Sequence, residues 1–203
     1  MLDHNTMEGV EATIERLAEL HEQYSGNKEI ALAYAKGQVN LSAEQPMEGA
    51  EATVERLAEL YEQYSGNQEV ALVYAKGLVN LSAEQPMEGT EATVERLAEL
   101  YEQYSVNQEI ALVYASGLVN LSDRQVVEEV LETIRHLEKL YCMYPDNEEM
   151  VVSYAMGLYN LAEKQPAQEA QSTIPKIQSL CQKYPENKES KEILKALVKL
   201  QNK

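Results

Sequence analysis

Residues 47–86 and 87–126 are identical at 33 of 40 positions, and no other feature of this chain limits its fold so tightly. Residues 7–46 follow the same pattern, 127–166 a looser form of it, and 167–203 a shortened one. A period between about 20 and 50 residues means stacked copies of one supersecondary unit, each too small to bury its own apolar face. The reading is therefore a single helical-repeat domain over 1–203, with units 7–46, 47–86, 87–126, 127–166 and 167–203.

Each unit holds two helical patterns. Val54, Leu57, Leu60, Tyr61 and Tyr64 recur at three- and four-residue spacing, opposite Glu48, Glu51, Glu55, Glu59 and Glu62. A second pattern runs from about Gln68 to Glu84 and buries Val70, Ala71, Tyr74, Ala75 and Leu78. Between them Ser65-Gly66-Asn67 supplies a helix-ending Gly and an Asn N-cap. Pro46, Pro86 and Pro166 separate one unit from the next. No strand pattern accompanies them, so the fold class is all-α: an alpha-alpha superhelix, or solenoid, of about ten antiparallel helices.

Gly and Asn return inside the second helix of the first four units, at Gly37/Asn40, Gly77/Asn80, Gly117/Asn120 and Gly157/Asn160. In a helix each Gly costs about 1 kcal/mol against Ala and each Asn up to about 0.7, so both need an offset. For Gly the reading is close approach of a neighbouring helix. For Asn three readings stand: hydrogen bonding to the adjacent helix, a ladder of amides that holds the main chain of a bound peptide, or plain solvent exposure.

The order of small and bulky residues resembles the tetratricopeptide repeat. Val151, Tyr154, Ala155 and Leu158 match that family's first-helix series, as do Ala71, Tyr74, Ala75 and Leu78. Thr133, Leu137 and Pro145 match its second helix, as do Thr173, Ile177 and Pro185, and Thr also fills the small site at 13, 53 and 93. The unit is 40 residues long rather than 34, and Ser25, Ser65 and Ser105 stand where the family has Pro. A HEAT- or armadillo-like array is the alternative. The resemblance implies that helices near 28–44, 68–84, 108–124 and 147–164 line a concave groove that binds a protein or extended peptide. It places Leu32, Leu72, Leu112, Val152, Lys36, Lys76 and Tyr159 in that groove beside Asn40, Asn80, Asn120 and Asn160. The last helix, 187–203, reads as a solvated cap, because Lys188, Lys191, Lys195, Lys199 and Lys203 enter it.

Charge narrows the partners. The net charge is −17, which disfavours nucleic acid and anionic membranes. No run reaches the eighteen apolar residues that a membrane span needs. MLDHNTMEGV lacks the apolar core of a secretory signal, and two cysteines, Cys142 and Cys181, are too few for a disulfide framework. A cytoplasmic setting is expected. His4, His21 and His136 are scattered, no Gly-rich phosphate loop is present, and the Glu stripes lack calcium-loop chemistry. The sequence thus reads as a non-catalytic binding scaffold without metal or cofactor. Its alternative is a self-associating structural module, a homodimer or an end-to-end assembly.

Overall fold

The computed structural model describes residues 4–43 and 47–200. Pro46 and the side chain of Glu48 lie outside what is described. Among the described residues there are ten α-helices and no strand: α1 (His4–Gln23), α2 (Lys28–Ser42), α3 (Met47–Gln63), α4 (Gln68–Glu84), α5 (Met87–Gln103), α6 (Gln108–Arg124), α7 (Val127–Met143), α8 (Glu148–Lys164), α9 (Ala167–Lys183) and α10 (Lys188–Leu200). The protein is an all-α helical repeat array. The chain forms two compact units, Met1–Val113 and Tyr114–Lys203. In the first, α2 packs on α1, α3 and α4, and α4 packs on α3 and α5. In the second, α8 packs on α7, α9 and α10, and α9 on α10.

The punctuation works as the residue types dictate. Asn67 Oδ1 accepts from the backbone N–H groups of Glu69 (3.0 Å) and Val70 (3.3 Å), satisfying two of the donors that a helix start leaves unpaired. Asn27 and Asn107 repeat both bonds. Asn147 and Asn187 each cap one N–H. Gly66 sits at φ +84°, the left-handed conformation that suits a residue without Cβ. At the other junction Gln85 leaves the helix with extended backbone, and Pro86 precedes the first residue of α5.

The glycines inside the even-numbered helices are contact points. A methyl at Gly77 would lie 2.6 Å from Leu57 Cδ1, and one at Gly157 would lie 2.4 Å from Leu137 Cδ1 and 2.9 Å from Ile134 Cδ1. Those side chains are themselves buried, so α3 against α4 and α7 against α8 come closer than any Cβ permits. The propensity lost at Gly is recovered as packing.

Two polar devices tie one repeat to the next. Asn80 Nδ2 in α4 donates to Val39 O (3.3 Å) and Ser42 Oγ (3.1 Å) in α2. Asn160 in α8 makes the same pair with Val119 O (3.3 Å) and Ser122 Oγ (2.9 Å) in α6. The second device was not foreseen. Gln85, Gln125 and Gln165 end the even-numbered helices, and their Oε1 atoms accept from Thr93 (2.7 Å), Thr133 (2.6 Å) and Thr173 (3.3 Å). Buried polar atoms need such partners.

Candidate binding surface

In the first unit, successive even-numbered helices set repeat-equivalent residues side by side. α4 carries Glu69, Leu72 and Lys76 at i, i+3 and i+7, so they share one face. About 10 Å separates the first from the last at 1.5 Å per residue. Glu69 and Glu109 sit in the first turns of α4 and α6, where carboxylates favour the helix dipole. The lysines project from mid-helix. The face is therefore striped: acid at the helix starts, then aliphatic, then ammonium, then amide.

A depression of about 520 Å³ opens on this face. Its walls include Lys36, Val39 and Asn40 from α2, Leu72 and Lys76 from α4, and Glu109 from α6. Glu69, Val73, Gln68 and Asn107 complete the lining. Lys36, Lys76 and Asn40 are exposed and Leu72 is half-buried. Asn107 spends its Oδ1 on capping α6 and has only its amide N–H groups left to offer.

Four of the residues singled out from the sequence, Lys36, Asn40, Leu72 and Lys76, thus share one site. Leu32, Leu112 and Asn120 are half-buried and do not line it, and Asn80 stands half-exposed with its amide nitrogen bound to α2. In the second unit the equivalents differ. Val152 and Asn160 are buried, at 8 % and 5 % exposure. Tyr159 is half-buried, and its hydroxyl donates to Glu163 Oε1 at 2.6 Å. Burial, followed by the neighbouring Glu163 carboxylate, pushes the Tyr159 phenol up to about 12. Gln68 is read from the sequence only as the start of a helix, and its place in the lining, beside Asn107 and Glu109, follows from how the start of α6 is set beside α4.

Among the described residues, no three His, Cys, Asp or Glu side chains are placed to hold a metal ion. No described helix is long and apolar enough to cross a membrane. His136 meets Tyr114 (Nδ1 to OH, 2.9 Å) and Glu132 (3.6 Å). Comparison with protein-family models, with curated proteins and with solved structures gives no significant match to this chain.

Proposed function

We propose that this protein is a non-catalytic scaffold of the tetratricopeptide-like kind that binds an extended segment of another protein along the α2–α4 face. The observation carrying this reading is the 520 Å³ depression, whose lining joins an aliphatic patch (Leu72, Val39) to amides (Asn40, Gln68, Asn107) and to both charge signs. Aliphatic contact supplies affinity without demanding one sequence. Amides match the alternating donors and acceptors of a main chain not already paired in a helix or sheet. The charged stripes fix direction, since Lys36 and Lys76 lie on the opposite side of the aliphatic row from Glu69 and Glu109. We place the protein in the cytoplasm, with no nucleic acid, metal or cofactor in its role.

A displayed library of random peptides, selected against the full chain, tests this. Selected sequences should bind in calorimetry, and Leu72→Glu should weaken them at least tenfold because it puts a charge into the aliphatic row. Failure to select any peptide, or affinities indifferent to Leu72→Glu, would reject the reading.

A further inference from the structure

The depression on the α2–α4 face is bordered by charges that the sequence leaves without partners. Lys36, Lys76, Glu69 and Glu109 are exposed on its lining. Among the described residues none of the four meets an opposite charge. The cause is local. A charged residue on a helix finds its partner three or four positions away, as Arg16 does at Glu19 and Arg135 at Glu132. Around Lys36 those positions hold Leu32, Ala33, Val39 and Asn40, and around Lys76 they hold Leu72, Val73, Val79 and Asn80. Glu69 is followed at these spacings by Leu72 and Val73, and Glu109 by Leu112 and Val113. The later even-numbered helices have Ser116 and Met156 at the lysine position, so the cationic border belongs to α2 and α4.

Glu69, Leu72 and Lys76 set the order acid, aliphatic, ammonium along α4, with about 10 Å from first to last. An extended peptide turns every second side chain to one face at about 3.3 Å per residue. Its side chains at i, i+2 and i+4 therefore share a face and span about 13 Å. The flexible ends of charged side chains take up the difference.

We propose that the depression selects an internal segment of another protein in which a basic and an acidic residue flank an aliphatic one, at i, i+2 and i+4. The basic residue lies toward Glu69 and Glu109, the aliphatic one on Leu72, and the acidic one toward Lys36 and Lys76. This rests on the groove reading given above. The occupant's chemistry follows from charge complementarity: each bordering group gains the partner that its own helix withholds. Overall charge argues the other way, since a net −17 attracts a doubly basic peptide more than one carrying an acid. A preference for the mixed peptide thus reports on the two lysines and not on the field of the whole chain. The contacts stay at the surface, so salt weakens them.

Fluorescence anisotropy on the full chain tests this with short labelled peptides, blocked at both ends so that only side chains carry charge. Their cores are Lys-Ser-Leu-Ser-Glu, Lys-Ser-Leu-Ser-Lys, Glu-Ser-Leu-Ser-Glu and Gln-Ser-Leu-Ser-Gln. At low salt the mixed peptide should bind at least threefold tighter than each of the others, and the advantage should vanish near about 1 M salt. Lys36→Glu/Lys76→Glu should reverse the order and prefer the doubly basic peptide to the mixed one. Lys195→Glu/Lys199→Glu changes the net charge equally at exposed sites on α10, and it should keep the wild-type order. Circular dichroism confirms that each variant is folded. Binding that Leu72→Glu weakens but that ignores peptide charge would overturn this inference and leave the groove reading standing. So would a Lys36→Glu/Lys76→Glu variant that keeps the wild-type order, or an α10 variant that reverses it. Absence of binding by all four peptides would overturn both.

Discussion

Asn40 in α2 and Asn160 in α8 hold the same place in the repeat and live in different surroundings. Asn40 is exposed and lines the depression, whereas Asn160 is 5 % exposed and locks α8 to α6 through Val119 and Ser122. Gly37 and Gly157 differ in the same sense: a methyl at Gly37 would come no nearer than 3.2 Å to Ile14 Cγ1, while one at Gly157 would collide with two side chains. The repeat fixes which residue stands at a position. What that residue does is set by the helix beside it, and an end helix has fewer neighbours than an inner one.

The largest effect expected from this contrast lies at the glycines. Gly157→Ala should destabilise the protein by about 2 kcal/mol, since forcing a methylene into a filled core costs about 1–3 kcal/mol and exceeds the gain in helix propensity. Gly37→Ala should be neutral or stabilising by up to about 1 kcal/mol, because Ile14 need yield only slightly. Urea titrations of the two variants check the difference, and equal losses would remove the basis of the comparison.

Next come the asparagines. Asn160→Ala should cost about 1–2 kcal/mol, as it deletes one buried and one part-buried hydrogen bond. Asn40→Ala should leave stability within about 0.5 kcal/mol, as expected of an exposed side chain, and should weaken a selected peptide instead. Measuring stability and affinity for both variants separates the two roles. A stability loss at Asn40 matching that at Asn160 would show that position alone decides.

Tyrosines give a smaller test. Tyr64 OH donates to Ser25 O at 2.5 Å across one repeat, whereas Tyr24, its counterpart just after α1, is 50 % exposed. Tyr64→Phe should therefore cost about 0.5–1.5 kcal/mol in denaturant titrations, and Tyr24→Phe close to nothing.

The smallest effect is alkaline. Burial first, then the hydroxyl of Tyr104, pushes the Tyr61 phenol from 10.0 up to about 12. Between those values the unfolded chain loses the proton and the folded one keeps it, so stability is whole below pH 10 and declines as pH rises toward 12. Tyr61→Phe should flatten the fall in unfolding free energy between pH 9 and 11. An unchanged slope would mean that other groups carry it.

Much of the fold was legible. Asn67, Gly66 and Pro86 announced the helix boundaries through chemistry local to the chain, and the glycines announced close packing because nothing else offsets their cost inside a helix. The Gln–Thr pairs were written at a constant eight-residue spacing, Gln85 with Thr93 and Gln125 with Thr133, but the Thr had a sufficient reading as a small core residue. Ser42 and Ser122 were equally regular, and only packing shows that they receive the Asn amides. The candidate site was half legible: Lys36, Asn40, Leu72 and Lys76 come together, while Val152 and Asn160 are covered. That difference depends on long-range packing, which a repeated motif does not encode.

Amide chemical-shift mapping on the full labelled chain, titrated with the tightest library-selected peptide, bears most directly on the binding role. The account predicts the largest perturbations over residues 36–40 and 69–76, with α9 and α10 unmoved. Shifts confined to the glutamate-rich faces of α3 and α5, around Glu55 and Glu95, would contradict it.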